Sequence, residues 1–261
     1  MVAIEPKMLF IAAWQTIGYF IEGLTGFGGT VFSSAINAQV LGADISVPFQ
    51  TFITLPVLYW SFITCHKQAS MKDLGKIQLA VLPGLLLGNY IGMIINANYA
   101  KLAIGSVVMF IALMNIWKTI IKPLVLKLPV VEKEDGPAMK VIRIIFLIAG
   151  GIVHGAFNIG GPLITVYTLS AVKDKVKFRN TMLCMWACVN TINVGRQFIT
   201  GNFTPYVATC VALAIPFTFI GYILGKRMMN KVNRETFLRI VYVVLLIVAG
   251  NMFITTLMKL I

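Results

Sequence analysis

A glycine-rich interruption occurs twice in this chain, each time inside a long apolar stretch, and it constrains the fold more than any other feature. The first copy, Gly26-Phe27-Gly28-Gly29, lies within residues 9–41, and the second, Asn158-Ile159-Gly160-Gly161, lies within residues 144–172. A spacing of 132 residues relates Gly18, Gly23, Gly28 and Gly29 to Gly150, Gly155, Gly160 and Gly161, and one of 133 relates Pro83, Gly88 and Gly92 to Pro216, Gly221 and Gly225. We therefore predict an internal duplication.

The composition is that of an integral membrane protein. Of the 261 residues, 58% are hydrophobic and only 12% are charged, with a mean hydropathy of +0.86, whereas soluble domains average about 25% charged residues. Six further apolar runs approach the roughly 20 residues that cross a hydrocarbon core; they are residues 47–65, 79–95, 102–121, 181–199, 206–225 and 240–258. We predict an all-α polytopic membrane protein.

The basic residues indicate the topology. Four connections between apolar runs, at residues 66–78, 118–143, 173–179 and 226–239, hold 18 of the 22 lysines and arginines. Because such residues concentrate in cytoplasmic loops, we predict that all four connections are cytoplasmic. They share one side only if residues 144–172 leave the membrane on the side they entered, as a helical hairpin does. The net charge of +13 is thus explained by loops, and nucleic-acid binding is not expected.

Because the two glycine-containing segments are predicted to be duplicates, a hairpin in the second copy predicts a hairpin in the first copy as well. Residues 9–41 and 144–172 are each too short for two complete spans, which need about 40 residues, so each is predicted to form short arms broken at glycine. A hairpin and three spans make an odd number of crossings, so the repeats are inverted and both termini lie outside. We predict about 8–10 transmembrane segments, with a first repeat at 1–121, a basic cytoplasmic linker at 122–143 and a second repeat at 144–261.

The two breaks are the predicted substrate site. A break at membrane depth exposes backbone N–H and C=O groups, which is tolerated only where the break is buried in protein or lines a wet cavity. A helix that restarts there presents unpaired N–H groups and its positive dipole end, which suit a small anion. Alternatively, the glycines only permit close helix packing. The predicted substrate-binding residues are Gly26, Phe27, Gly28, Gly29, Thr30, Asn158, Ile159, Gly160, Gly161 and Pro162.

Ionisable residues inside the apolar segments add further candidates. Glu22 and His154 occupy corresponding positions 132 residues apart, and we predict that they carry protons. Alternatively, Glu22 caps exposed N–H groups at its break and His154 is a hydrogen-bonded core residue. Arg196 and Asn193 share a helix face near the end of residues 181–199. There the guanidinium either clamps an oxyanion or extends to the membrane surface.

The sequence carries no pattern of enzymatic chemistry. It has no P-loop motif, no histidine and cysteine set that completes a metal site, and no nucleophile with a paired base. We therefore predict that the protein is not an enzyme and uses no metal or other cofactor. Its predicted partners are a small anion and the lipid bilayer.

At the duplicated element the chain resembles the TauE/SafE family of sulfite and organosulfur anion transporters. The residues concerned are Gly23-Leu24-Thr25-Gly26-Phe27-Gly28-Gly29-Thr30 and Gly155-Ala156-Phe157-Asn158-Ile159-Gly160-Gly161-Pro162. Family members often carry a third consecutive glycine where this chain has Thr30 and Pro162, and Asn158 stands where the first copy has Gly26. The resemblance covers nearly the whole chain, and it implies movement of sulfite, sulfonates or related sulfur anions across the cytoplasmic membrane.

The predicted function is that of a secondary transporter for a small anion, sulfite or an organosulfonate, working by alternating access. Proton coupling through Glu22 and His154 is the mechanistic hypothesis. Two alternatives stay open at this point. One is an importer or channel for another small anion, and the other is a membrane assembly subunit without transport, which would not need duplicated breaks at membrane depth.

Overall fold

The computed structural model describes residues 3–91, 97–127, 136–157 and 160–260, and in these ranges the regular secondary structure is entirely helical. The first half contains α1 (Pro6–Thr25), α2 (Gly29–Leu41), α3 (Ala43–Cys65), α4 (Met71–Ile91) and α5 (Ala97–Ile116). The second half contains α6 (Pro137–Phe157), α7 (Gly161–Ala171), α8 (Lys175–Ile199), α9 (Pro205–Lys231) and α10 (Arg234–Leu257). A 3₁₀ turn, His66–Gln68, follows α3, and a π-helical segment, Trp117–Val125, follows α5.

Five helical stretches of the described chain are long and apolar enough to cross a membrane. They are Asp44–Gln68, Met71–Ile91, Gly105–Val125, Pro205–Lys231 and Arg234–Leu257. Each contains most of one run that the sequence predicts as a span. The prediction of an all-α polytopic membrane protein is confirmed.

The sixth predicted span, residues 181–199, lies in α8, whose character is different. This helix has 25 residues, but four of them are basic, so it is less apolar than the other long helices. Residues 178–187 are nevertheless buried. Burial of a polar helix is consistent with contacts to protein on most sides, because lipid would leave its polar groups unpaired.

The two arms of each glycine-broken segment differ in length. The first arms, α1 and α6, have 20 and 21 residues, whereas the second arms, α2 and α7, have 13 and 11. At 1.5 Å per residue, the first arms are about 30 Å long and the second arms about 17–20 Å. The expectation of two short arms is therefore wrong for α1 and α6. The helices start before the apolar runs do, at Pro6 and at Pro137, and Pro137 lies inside the segment predicted as a linker.

The helices form two compact units. One unit contains α1, α2 and α3 together with α8 and α9, and the other contains α4 to α7 together with α10. Both units therefore combine helices from the first and the second half of the sequence. The division at residues 122–143 describes the predicted duplication and stays a prediction, since the compact units follow a different division.

In the first unit, glycines bring the backbones of α1 and α9 into direct contact. A Cβ atom added to Gly23 would lie 2.9 Å from Cα of Tyr222, and one added to Gly221 would lie 3.0 Å from the backbone nitrogen of Phe20. Gly225 also packs directly against the carbonyl oxygen of Phe20. Contacts this close leave no room for side chains, so these glycines explain why α1 pairs with α9.

In the second unit, glycines perform the same role between α6 and α4. A Cβ atom on Gly155 would lie 2.8 Å from the carbonyl carbon of Leu85, and one on Gly84 would lie 3.1 Å from Cα of Gly151. The first arm of each hairpin thus packs on a helix from the other half of the sequence. Several duplicated glycines therefore serve close packing, as the alternative interpretation expected, and this includes Gly29 and Gly160 at the breaks.

Candidate functional site at the helix breaks

The first break is a tight turn between α1 and α2. Gly26 and Gly28 have φ angles of +85° and +89°, a region that glycine adopts without strain. The Gly26 N–H group donates to the carbonyl oxygen of Glu22 at 2.8 Å and closes α1. A Cβ atom on Gly26 would also lie 2.8 Å from the carbonyl oxygen of Arg179. Both the backbone conformation and the approach of α8 therefore require glycine at position 26.

Glu22 reaches across this break and caps α2. Its Oε2 atom accepts a hydrogen bond of 2.9 Å from the backbone N–H group of Gly29, and the backbone of Thr30 interacts with the same carboxylate. The side chain is buried, with 3% of the residue exposed. A carboxylate at a helix N-terminus is stabilised by the unpaired N–H groups and the helix dipole. The structure thus gives Glu22 the capping geometry that the sequence left as an alternative, and proton transfer stays a proposal.

Arg179, on α8, caps the other side of the same break. Its Nε atom donates to the carbonyl oxygen of Gly23 in the last turn of α1, and its Nη1 atom donates to Oδ1 of Asn180 at 2.9 Å. The guanidinium carbon lies 5.1 Å from the centre of the Tyr222 ring. Arg179 is fully buried, and its Nη2 atom has no hydrogen-bond partner among the described residues. A buried cation with an unused donor therefore stands beside the break.

Arg179 was not among the predicted site residues, because in the sequence it lies among the basic residues of the connection at 173–179. The repeat pattern does not indicate its burial, because the spacing of 132 residues pairs Arg179 with Val47, which is half exposed. The burial of Arg179 depends on its contact with Gly23 of α1, a residue 156 positions away.

A chain of buried amides holds α2 in place. Gln15 of α1 donates to Oδ1 of Asn37 at 3.0 Å, and Asn37 donates to Oε1 of Gln50 on α3. Gln50 in turn donates to the carbonyl oxygen of Thr30 at 3.3 Å. Hydrogen bonds between buried amides restrict the geometry of the helices that carry them. The short helix α2 is therefore fixed on both sides, and its N-terminus stays aligned with Glu22.

The second break lies between α6 and α7. Asn158 and Ile159 are outside the described residues, so their predicted role in substrate binding stays a prediction. Helix α7 begins at Gly161 with Pro162 in its first turn. Proline suits this place because the first N–H groups of a helix have no partner within the helix. A helix N-terminus therefore follows the second break as well.

The second break carries a different ionisable group. His154, at the position that corresponds to Glu22, is 5% exposed, and a Cβ atom on Gly160 would lie 2.7 Å from its Cβ atom. On α7, the hydroxyl group of Thr165 is buried and has no hydrogen-bond partner in the described ranges. The second break therefore lacks a carboxylate at the position where the first break has one.

Arg196 and Asn193 are not brought to the first break. Arg179 and Arg196 both belong to α8, and their separation in sequence places them about 25 Å apart along the helix axis. Arg196 is exposed, whereas Asn193 is 9% exposed. The two arginines thus lie towards opposite ends of α8, and of these two it is Arg179 that contacts the break.

The comparison with protein families agrees with this architecture. The family model described as sulfite exporter TauE/SafE matches residues 10–252, which include both breaks and all or part of all ten helices. No match was found among curated proteins or among solved structures. Since the match extends over nearly the whole chain, this multi-pass membrane protein belongs to the TauE/SafE family of sulfite and anion transporters.

Proposed function

We propose that the protein is a secondary transporter that moves a small sulfur oxyanion or organosulfonate across the cytoplasmic membrane by alternating access. Membership of the TauE/SafE family supports membrane transport of sulfite or related anions. The residues at the first break support an anion as the substrate. The proposed orientation keeps the basic connections in the cytoplasm and both termini outside, as the distribution of lysine and arginine favours.

The observation that carries this proposal is the buried guanidinium of Arg179. Two of its three nitrogen atoms donate to neutral oxygen atoms, of Gly23 and Asn180, and the third has no partner in the described residues. A buried charge is costly unless it is paired with an opposite charge or fully hydrogen-bonded. The planar donor set of arginine matches the oxygen atoms of sulfite, sulfate and sulfonate groups. An oxyanion bound at Nη2 would supply the missing partner.

Counterflow in proteoliposomes tests the proposed function. Vesicles that contain the purified protein are loaded with unlabelled sulfite and diluted into radiolabelled sulfite. A carrier exchanges one anion for the other, so label should accumulate transiently above its equilibrium level, and unlabelled thiosulfate or taurine inside should reveal which sulfur anions share the site. An anion channel would give equilibration without accumulation. Vesicles with no flux of any tested anion would favour the assembly subunit.

Proton coupling through Glu22 and His154 is expected to appear as a response of sulfite flux to a pH gradient. An imposed gradient should change the initial rate several-fold with the native protein, and the response should be lost in Glu22→Gln and His154→Ala, which cannot bind and release a proton at these positions. Glu235→Gln is the matched control, because the Glu235 side chain is 78% exposed in the first turn of α10 and remote in sequence from the breaks. A flux indifferent to the gradient, or variants that respond like the native protein, would contradict coupling.

A further inference from the structure

The N-terminus of α2 is a position that suits an anion, and the side chain of Glu22 already occupies it. Backbone N–H groups at a helix N-terminus bind sulfate, phosphate and carboxylate groups by the same geometry and the same dipole. Here the group in this position is the carboxyl group of Glu22, whose Oε2 atom lies 2.9 Å from the nitrogen of Gly29. The chain itself therefore supplies an occupant for a position that suits the proposed substrate.

Arg179 provides the second half of such a position. Its charge interacts with Glu22, yet neither Nε nor Nη1 donates to the carboxylate, and Nη2 has no partner in the part of the chain that is described. Gly26, at the break itself, packs against the backbone of Arg179. The guanidinium therefore contacts the α1 side of the turn, at Gly23, while Glu22 caps the α2 side, at Gly29.

We propose that Glu22 is a tethered competitor of the transported anion. The anion site consists of the N–H groups at the start of α2 together with Nη2 of Arg179, and Glu22 occupies the helix side of this site when no anion is bound. Two negative charges within hydrogen-bond distance of the same N–H groups repel each other strongly. The anion therefore binds only when the carboxylate leaves α2 or takes up a proton. This inference rests on the proposed function, because it assumes that an anion is the substrate.

Competition of this kind differs from a purely structural cap in what it predicts. The charged and titratable groups around the carboxylate are Tyr19 on its own helix and Arg179 on α8, and Tyr222 of α9 lies over the guanidinium. Helix α2 contributes no titratable side chain. Glutamine at position 22 still accepts a hydrogen bond from Gly29 but carries no charge. It should keep the fold while removing the competing negative charge. If Glu22 is only a structural cap, anion affinity should be unchanged.

The decisive experiment measures the anion affinity of the full-length protein purified in detergent. Affinity is obtained from the thermal stabilisation of the protein over a series of anion concentrations. Sulfite and thiosulfate are the probes, and thiosulfate serves for the pH series because its charge is constant near neutral pH. We expect Glu22→Gln to bind anions at least about tenfold more tightly than the native protein. The apparent affinity rises as the fraction of molecules with an unoccupied anion site approaches one. Native affinity should fall as the pH rises, and the affinity of the variant should not. Arg179→Lys should weaken binding in both backgrounds.

The variant Glu22→Asp and the counterflow assay distinguish failure of the competition from failure of the proposed function. Glu22→Asp keeps the charge on a shorter side chain that no longer reaches across the break, so it should also bind anions more tightly than the native protein. Glu22→Gln with normal gel-filtration behaviour and an unchanged dissociation constant would overturn the competition. If the native protein transports sulfite in counterflow, that result would leave the proposed function intact. If it neither binds nor transports any of the tested sulfur anions, the proposed function is wrong and the competition is wrong with it.

Discussion

Replacing Arg179 with glutamine is expected to weaken sulfite binding and transport by about 10- to 150-fold while the protein remains folded. The expected size follows from a hydrogen bond between charged groups, which contributes about 1.5–3 kcal/mol. Glutamine can still donate to a carbonyl oxygen such as that of Gly23, but it has neither the positive charge nor the second donor nitrogen that arginine offers to an oxyanion. Radiolabelled sulfite exchange in proteoliposomes, normalised to the amount of reconstituted protein, measures the effect.

Arg239→Gln is the matched control for this substitution. The Nε atom of Arg239 donates to the carbonyl oxygen of Thr119 at 3.0 Å, which is the same type of bond that Arg179 makes to Gly23. Arg239 belongs to the other compact unit and to neither break. Sulfite exchange by Arg239→Gln should stay close to native. Exchange by Arg179→Gln at the native rate would show that the buried guanidinium only supports the fold.

Substituting Gly26 with alanine is expected to destabilise the protein by about 3 kcal/mol or more. An alanine with a positive φ angle costs about 1–2 kcal/mol, and at +85° this cost applies in full. The added methyl group would also meet the carbonyl oxygen of Arg179 at 2.8 Å, and overpacking adds about 1–3 kcal/mol. A lower unfolding temperature in detergent, followed by tryptophan fluorescence or by loss of the monodisperse gel-filtration peak, checks the expectation.

Gly201→Ala separates the two contributions to this effect. Gly201 also has a positive φ angle, of +74°, but nothing lies within 4 Å of the Cβ atom that it would gain. We expect a loss of only about 1 kcal/mol at this site, from backbone strain alone. Equal losses at Gly26 and Gly201 would mean that α8 moves aside without cost, and the tight approach of Arg179 to the break would then be unnecessary for stability.

The features that depend on local composition could be predicted from the sequence. Helix α9, Pro205–Lys231, contains the predicted span at residues 206–225, because a run of apolar residues is sufficient to specify a membrane-crossing helix. The position of the first break could be predicted for a similar reason. Gly26 and Gly28 adopt positive φ angles, and consecutive glycines at membrane depth indicate an interruption wherever the helix lies. The family resemblance was carried by the same glycines and is confirmed by the family match.

The features that depend on distant partners could not be predicted. Gly23 indicates that another helix packs closely on α1. The sequence does not determine whether that helix is α4 or α9, because both contain the duplicated glycines. The bond from Arg179 to Gly23 joins residues 156 positions apart. Whether a cation at the end of a basic connection is solvated or buried depends on such a contact. The capping role of Glu22 could be predicted only as one of two alternatives, because a carboxylate next to a break is suited both to capping N–H groups and to carrying a proton.

The pairing of α1 with α9 also bears on how the chain is made. During synthesis α1 enters the membrane long before α9. The glycine face around Gly23 therefore has no packing partner until seven further helices have been inserted. During that interval the polar groups of the first break have no cover from α8 or α9. The first half alone is therefore incompletely packed and should be a target for the cell's degradation machinery. We expect the two halves, supplied as separate genes, to accumulate only when both are expressed together.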